Sequence, residues 1–278
     1  MSAFGPDLPV LTELAPGVRR LLAPNPSMMT GPGTNTYLFG VNEVAVLDPG
    51  PAIESHIKKI EDVAGALIRW VMVTHTHPDH SPAAIGLAKA TGAELIGRPP
   101  PQGEHQDMTF APDRVIEDGD QISIDGMEIE AIHTPGHASN HVCFLHSHLN
   151  WVFTGDHVID GSTVVINPPD GNMSHYLQSL AKVKGRRPAA LAPGHGDLIR
   201  DPDRAIDWIA EHRLERETKV VRALKENPGL TSMALVPHVY QDVDERLFRL
   251  AERSLLAHLL KLVDDGVARK TDDRWIAI

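Results

Sequence analysis

Three histidines and an aspartate stand close together at positions 75, 77, 80 and 79, within the stretch from Thr74 to His80. Imidazole nitrogens and carboxylate oxygens are the ligands that zinc and other borderline divalent metals accept. The stretch directly follows the apolar run from Leu67 to Val73, which predicts a buried strand. Because the end of a strand is a rigid base, the pattern predicts a metal site there. A solvated histidine-rich loop would explain one His-x-His pair, but four donors at this spacing favour a metal.

Four further segments each place an imidazole or a carboxylate beside glycine at the end of a predicted strand. Taken singly they are weak signals, because an aspartate such as Asp156 is more often a turn residue or a helix cap. Their shared placement favours one site that is assembled from several strand ends. We expect Asp48 to orient the ligands of that site by hydrogen bonding from behind. The segments are Leu47 to Gly50, His133 to His137, Phe153 to Asp156 and Pro193 to Gly196.

The order of these residues, His-x-His-x-Asp-His followed by His, Asp and His, resembles the metallo-β-lactamase superfamily over about residues 10 to 200. The resemblance implies two divalent metal ions. Zinc is the expected metal, and iron and manganese suit the same ligands. A hydroxide produced between the two metals would be the nucleophile. We assign catalysis to Asp79 and His80, with Asp79 orienting the hydroxide or taking its proton. The implied ligands are His75, His77 and His137 for one metal and Asp79, His80 and His195 for the second, with Asp156 bridging the two.

Several features of the sequence argue against some of the activities and metal sites that occur within the superfamily. Antibiotic-degrading members commonly have cysteine where this chain has Asp156, so β-lactam hydrolysis is disfavoured. The flavodiiron branch has glutamate where His77 stands, which favours zinc over a di-iron oxygen site. The short segment between Asp156 and His195 leaves no room for the large inserted domain of one nuclease branch. The single cysteine, Cys143, lies in an alternating apolar run and is expected to be a packed core thiol.

The sequence resembles one subgroup of the superfamily more closely than the others. The segments Thr34 to Tyr37 and Gly155 to Met173, together with the C-terminal pattern described below, are similar to the lactamase-beta-like protein 2 subgroup. That subgroup includes a single-strand-specific endoribonuclease and fungal polyketide thioesterases, so the similarity indicates the site better than the substrate. Neutral side chains in these loops are expected to hydrogen-bond a phosphate or a carbonyl of the substrate, with loop capping as the alternative for each. They are Asn35, His157, Ser162 and Thr163.

The pattern of elements predicts an α/β fold in two parts. Up to about residue 200, strands and helices alternate in two similar halves, which predicts a four-layer αββα metallo-β-lactamase sandwich. A charged helix from Asp203 to Glu226, a short helix, a long amphipathic helix from Asp244 to Asp264 and a final hairpin follow. Helix, helix and hairpin are typical of a winged helix. We therefore predict a catalytic domain over residues 1–202 and a small winged-helix-like domain over residues 203–278.

Composition restricts the partners and the compartment. The formal net charge of −11 disfavours tight nonspecific binding to duplex nucleic acid. No apolar stretch is long enough to span a bilayer, and residues 1–6 lack the charged start and apolar run of a secretory signal. These observations predict a cytoplasmic protein with no membrane partner.

The sequence leaves three functions open. The first is a metal-dependent hydrolase, with cleavage of single-stranded RNA as the leading specific prediction; basic residues at 182–187 and 269–274 would form a modest track for its backbone. The second is hydrolysis of an acyl ester or thioester in the manner of glyoxalase II, in which the same hydroxide attacks a carbonyl. The third is a non-enzymatic sensor whose winged helix reads DNA, which the acidic residues Asp242, Asp244 and Glu245 disfavour. The C-terminal domain is expected to cover the mouth of the active site or to mediate contacts in a homodimer.

Overall fold

The first half of the chain forms a seven-stranded mixed sheet. The computed structural model describes residues 10–103 and 105–278, so the prediction about residues 1–6 lies outside the described residues. The strands follow the order β1 to β7 across the sheet; the pairs from β1 to β4 are antiparallel and those from β4 to β7 are parallel. The elements are β1 (Leu11–Ala15), β2 (Val18–Leu22), β3 (Asn35–Phe39), β4 (Val44–Leu47), α1 (Glu54–Val63), β5 (Ile68–Met72), α2 (Ala84–Thr91), β6 (Glu94–Gly97) and β7 (Arg114–Val115).

The second half forms a five-stranded sheet. Its order is β12-β11-β10-β9-β8, and only the pair of β11 with β12 is parallel. The parallel pair is connected by a helix, as such pairs require. The elements are β8 (Gln121–Ile124), β9 (Met127–His133), β10 (Val142–His146), β11 (Trp151–Gly155), α3 (Met173–Gly185) and β12 (Ala190–Pro193).

The C-terminal part contains three helices and a small sheet. A core of Val220, Leu235, Leu255 and Trp275 joins these elements. The sequence predicts one helix from Asp244, but a 3-10 turn over Glu245–Leu247 precedes the last helix because the Asp244 side chain caps the backbone N–H of Arg246. The elements are α4 (Pro202–Glu226), β13 (Leu230–Thr231), α5 (Ser232–Val239), α6 (Phe248–Asp264), β14 (Ala268–Thr271) and β15 (Arg274–Ala277), with sheet order β13-β15-β14.

Side chains that alternate along the strands make both faces of each large sheet apolar. In β3, Tyr37 and Phe39 face the five-stranded sheet, and Leu38 faces α1 and α2. In β10, Phe144 faces the seven-stranded sheet, and Cys143 faces α3 and α4. Because successive side chains point to opposite faces of a strand, both sheets need a cover on each side. The four-layer αββα sandwich and the winged helix are therefore confirmed, while the predicted domain boundary after residue 202 stays a prediction.

Two simpler predictions concern single features. Cys143 is completely buried, and burial raises the pKa of its thiol to about 12, so it is a packed core thiol and not a nucleophile. No helix within residues 10–103 and 105–278 has the length and apolar character needed to cross a membrane.

A buried histidine on α1 makes stability depend on pH. His56 is completely buried, its Nε2 lies 2.9 Å from Thr36 Oγ1, and burial followed by the charge of Lys59 lowers its pKa to about 4. The unfolded chain, with a histidine pKa of about 6.5, binds more protons between these two values. This contribution to stability is therefore complete above about pH 6.5 and is lost as the pH falls toward 4, by roughly 3 kcal/mol in total.

We expect His56→Gln to remove that part of the pH dependence. Urea unfolding of the chelator-treated wild type and variant, at about pH 7 and about pH 4.5, checks this. The variant should lose less free energy of unfolding between the two conditions. Equal losses in the two proteins would contradict the assignment.

Candidate metal centre

Three of the predicted histidines meet at one place between the two sheets. His75 and His77 follow β5, and His137 follows β9. His75 Nε2 and His137 Nε2 each lie 2.9 Å from His77 Nδ1. Because the carboxyl end of β5 and the end of β9 face each other across the sandwich, three imidazole nitrogens converge there. We call this set the three-histidine group.

The other four predicted side chains form a second group beside it. Asp79 and His80 lie in the loop before α2, and Asp156 and His195 follow β11 and β12. His195 Nε2 lies 3.1 Å from Asp79 Oδ2 and 3.2 Å from Asp156 Oδ1. His80 Nε2 lies 3.4 Å from Asp156 Oδ1. We call this set the mixed group; in each group the candidate ligand atoms lie within 4.8 Å of one another.

Asp156 faces each of the two groups with a different carboxylate oxygen. Its Oδ1 is the atom near His80 and His195, and its Oδ2 lies 3.6 Å from His137 Nε2. Gly194 makes this approach feasible, because a Cβ there would come within 2.9 Å of Asp156 Oδ1 and 2.8 Å of His80 Cε1. One carboxylate thus lies between two clusters of nitrogen and oxygen donors.

Hydrogen bonds from behind fix which ring nitrogens face the site. His137 Nδ1 lies 2.8 Å from Val165 O, and His195 Nδ1 lies 3.2 Å from Gly33 O. A backbone carbonyl only accepts, so each Nδ1 carries a hydrogen, and in the neutral ring each Nε2 presents a lone pair. Hydrogen-bonded histidines of this kind are typical of metal sites in proteins.

Asp48 fixes two further rings, those of His80 and His75, in the same way. Its Oδ2 lies 3.0 Å from His80 Nδ1 and accepts a hydrogen bond of 2.8 Å from Thr74 Oγ1. Since the Thr74 hydroxyl donates to Asp48, it accepts from His75 Nδ1, which is 3.0 Å away. Thr74 N also donates to Asp48 Oδ1 at 2.7 Å. The expectation that Asp48 orients the ligand histidines therefore agrees with its contacts.

The pKa values differ between the two groups. Burial lowers the pKa of His75 well below its usual range, lowers that of His137, and lowers that of His77 to about 3, so the three-histidine group is neutral. Burial also opposes the charged form of His195, but Asp156 and Asp79 outweigh it and raise its pKa to about 9. For His80 the carboxylates of Asp79, Asp156 and Asp48 outweigh burial and raise the pKa well above the usual range.

These donors fit divalent cations. Within the described residues, His80 Nε2 and Asp156 Oδ1 are buried and lack a hydrogen-bond partner. His75 Nε2 and His137 Nε2 present lone pairs nearby, and the raised pKa values of His80 and His195 put positive charge between the carboxylates of Asp79 and Asp156. If these two rings lose their protons, buried acceptors face one another, which is costly without a cation between them. The cluster of histidines and aspartates is therefore suited to binding divalent metal, in two neighbouring places.

Asn35 is buried beside the loop that carries His195, and its contact with a substrate stays a prediction. Its side chain is completely buried, and Nδ2 donates to Pro193 O and Gly196 O, both at 2.9 Å. The neighbouring Thr34 pairs with His195 in a β-bridge. Asn35 therefore holds the loop that carries His195.

His157 is also buried, and its contact with a substrate stays a prediction as well. Its ring is completely buried, and the ring centroid lies 5.1 Å from that of Tyr176. Burial lowers its pKa to about 3, so the ring is neutral. Ser162 is exposed and Thr163 is half-buried in the loop after Asp156, and a substrate contact for either stays a prediction.

Sequence reasoning missed several residues that support the site. His141 lies behind His75, with ring centroids 5.0 Å apart and its Nδ1 2.9 Å from Thr134 Oγ1. The carbonyls of Gly33 and Val165 were missed as well, because a backbone acceptor leaves no residue type to read. The position of His141, at the start of an apolar strand, was the only available signal.

Comparisons with known proteins agree with this geometry. Residues 29–195 match the family model of the metallo-beta-lactamase superfamily, and residues 231–275 match that of the beta-lactamase associated winged helix domain. The chain is 30% identical to a beta-lactamase-like protein 2 homolog of Caenorhabditis elegans, over 92% of this chain and 88% of that protein. It is also 30% identical to an atrochrysone carboxyl ACP thioesterase of Aspergillus fumigatus, over 98% and 90%.

A solved structure shows the same fold over nearly the whole length. The crystal structure of a beta-lactamase domain protein from Burkholderia ambifaria superposes with a TM-score of 0.83 and 23% identity, covering 99% of this chain and 96% of that one. The predicted similarity to the lactamase-beta-like protein 2 subgroup is confirmed by relatives of that name. The chain belongs to the metallo-beta-lactamase superfamily of hydrolases and carries the winged helix domain associated with it.

Proposed function

We propose that the chain is a metal-dependent hydrolase that cleaves acyl thioesters. The observation that carries the proposal is Asp156, with Oδ1 at 3.2 Å from His195 Nε2 and Oδ2 at 3.6 Å from His137 Nε2. A carboxylate in this position suits a bridge between two cations. The proposed ligands are His75, His77 and His137 for one cation and Asp79, His80 and His195 for the other, with Asp156 shared.

Two bound divalent cations would supply an activated water and would polarise the carbonyl oxygen of the substrate. Asp79 is able to contact that water, since its side chain is 26% exposed. Burial would raise its pKa, but the charges of His80 and His195 outweigh it and lower the pKa to about 2. Asp79 therefore stays a carboxylate that accepts a hydrogen bond from water and orients it.

His80 is better suited to holding a cation than to transferring a proton, which revises the catalytic role expected from the sequence. Its ring is completely buried. Its Nδ1 faces Asp48, and its Nε2 faces Asp156 and Asp79. No part of the ring is open to a substrate, so we assign it to the mixed group as a ligand.

Two observations support a thioester over RNA. A relative of nearly equal length is named as a thioesterase, and none of the relatives reported above is named for RNA cleavage. Three of the seven basic residues expected to form a track for RNA, all within residues 182–187, are held in ion pairs. These pairs are Lys182 with Asp118 at 2.6 Å, Lys184 with Asp207 at 2.5 Å and Arg186 with Glu130 at 2.5 Å.

The sensor function is disfavoured by charge at the start of α6. Asp242, Asp244 and Glu245 place three carboxylates before this helix, and ion pairs with Arg216 at 2.8 Å and with Arg246 at 2.7 Å offset those of Asp242 and Asp244. A helix that enters a DNA groove from this end would bring these carboxylates toward phosphates.

A side-by-side assay tests the proposal. Zinc-loaded protein is given acyl-pantetheine thioesters and a single-stranded RNA, together with an Asp79→Asn variant and an Asp265→Asn control on the surface of the C-terminal part. We expect thioester turnover that falls in Asp79→Asn and persists in Asp265→Asn, with intact RNA. RNA cleavage that is lost in Asp79→Asn would select a nuclease instead. Activity on neither substrate would remove the enzymatic proposal.

A further inference from the structure

A buried arginine of the C-terminal part reaches the loop that supports the three-histidine group. Arg213 lies on α4 and is only 4% exposed. Its Nη2 donates to Val164 O, and its guanidinium carbon lies 5.5 Å from the ring centroid of Tyr176 on α3. A buried guanidinium is costly unless its donors and its charge are used. The contacts of Arg213 with Val164 O and with the Tyr176 ring therefore hold the guanidinium at a fixed place between α4 and α3.

The carbonyl next in sequence holds a metal-facing histidine. Val165 O accepts the hydrogen bond from His137 Nδ1 at 2.8 Å. Val164 and Ile166, on either side, are buried in the core cluster that contains Tyr176, Ile206 and residues of α3 and α4. The orientation of the Val165 carbonyl is therefore set by a segment that Arg213 ties to α4.

The backbone before His137 packs against Tyr176, the residue whose ring Arg213 contacts. A Cβ at Gly136 would come within 2.4 Å of Tyr176 Cα, so the loop before His137 lies directly on the start of α3. Asn172 N also donates to Gly136 O at 2.8 Å. Arg213 thus contacts both supports of His137, the 164–166 segment and Tyr176.

We propose that Arg213 is a positioning residue for His137 and that α4 thereby sets the metal affinity of the three-histidine group. The inference rests on the proposed metal centre. It gives the C-terminal part a direct role in that centre, since Arg213 completes the support of a ligand that lies on the catalytic sandwich. Outer hydrogen-bond partners of metal ligands typically change affinity by about 10- to 100-fold. For Arg213, which acts through one further peptide unit, we expect a decrease on the order of tenfold.

Arg216 provides a matched control on the same helix. It is 7% exposed, donates to Val239 O at 2.9 Å and lies 4.4 Å from the ring centroid of Tyr240. Like Arg213 it contacts a carbonyl and a tyrosine ring, and it adds an ion pair with Asp242 at 2.8 Å, but all of these contacts lie within the C-terminal part. A substitution there tests for the general cost of losing a buried arginine.

Zinc titration of the full chain, with histidines labelled with nitrogen-15, tests the proposal. The ring signals of His137, identified by their loss in His137→Ala, report binding in the three-histidine group against a competing chelator. We expect Arg213→Met to weaken zinc binding at these signals by roughly tenfold, and Arg216→Met to leave it within about twofold of the wild type. Equal affinity in Arg213→Met and wild type, or equal losses in the two variants, would overturn the proposal.

Two further readouts keep the proposal separate from folding and from the proposed function. If Arg213→Met does not fold, Arg213→Lys keeps the charge but lacks the planar fork, and it should weaken zinc binding at His137 while Arg216→Lys does not. In the metal-free protein, Arg213→Lys should also change the signal of the hydrogen on His137 Nδ1. An unchanged signal and unchanged affinity would overturn the inference alone, whereas a wild type that binds no zinc at His137 would overturn the proposed function with it.

Discussion

Asp156→Asn is expected to reduce thioester turnover by roughly 10³-fold, because several kcal/mol of transition-state stabilisation depend on the cations that Asp156 would hold. An amide has one oxygen, and its nitrogen is not a ligand, so it cannot serve both groups. Burial raises the pKa of Asp156, but His195 and His80 outweigh burial and hold it well below the usual range. The native side chain is therefore a carboxylate at neutral pH, and the variant loses that charge.

Metal content gives the second readout for this variant. We expect bound zinc, measured by elemental analysis after gel filtration, to fall from about two ions per chain to one or fewer. Asp160→Asn is the control, because Asp160 lies in the same loop, is exposed, and accepts a hydrogen bond from Asp197 N at 3.2 Å without belonging to either group of candidate ligands. An Asp156→Asn protein that keeps both ions and full turnover would contradict the bridging role.

Asp48→Asn is expected to weaken zinc binding in the mixed group by about 10- to 100-fold, as other supports of ligand histidines do. Asp48 is 2% exposed and accepts from Thr74 N at 2.7 Å and Thr74 Oγ1 at 2.8 Å. Its charge also holds His80 Nδ1 at 3.0 Å, and an uncharged amide loses that attraction. Because a buried charged hydrogen-bond network is weakened, we expect the free energy of unfolding to fall by about 3 kcal/mol.

The chain offers a close control for this substitution. Asp48 and Asp125 both have left-handed backbones, with φ values of 50° and 47°, and asparagine adopts this conformation readily. Asp125 also accepts two backbone hydrogen bonds, from Val41 N and Asn42 N, at a turn away from the site. Chelator competition and urea unfolding should show a large change for Asp48→Asn and a small one for Asp125→Asn. Similar zinc affinities in the two variants would contradict the role of Asp48.

The position of the candidate ligands was predictable because the signal is local. Histidines that directly follow an apolar strand, such as His75 and His77, are positioned by that strand alone. The paired sheets then follow from the alternation of apolar residues, as at Tyr37 and Phe39. Strand β1 was not predicted, because it lies at the sheet edge, where none of its residues from Leu11 to Ala15 is fully buried and apolar alternation is weak.

The direction of loop side chains was not predictable, because it depends on contacts between distant segments. Asn35 faces Pro193 and Gly196, over 150 residues away, and no neighbouring residue indicates that contact. His157 packs against Tyr176 on the following helix. The carbonyl contact of Arg213 has no pattern in the sequence, since any residue has a carbonyl.

Anomalous diffraction from crystals of the zinc-loaded full chain tests the proposed metal centre most directly. Two peaks are predicted, one bounded by His75, His77 and His137 and the other by Asp79, His80 and His195, with Asp156 contacting both. Zinc bound elsewhere on the chain, with these seven side chains holding no cation, would contradict the dinuclear site and the hydrolase proposed from it.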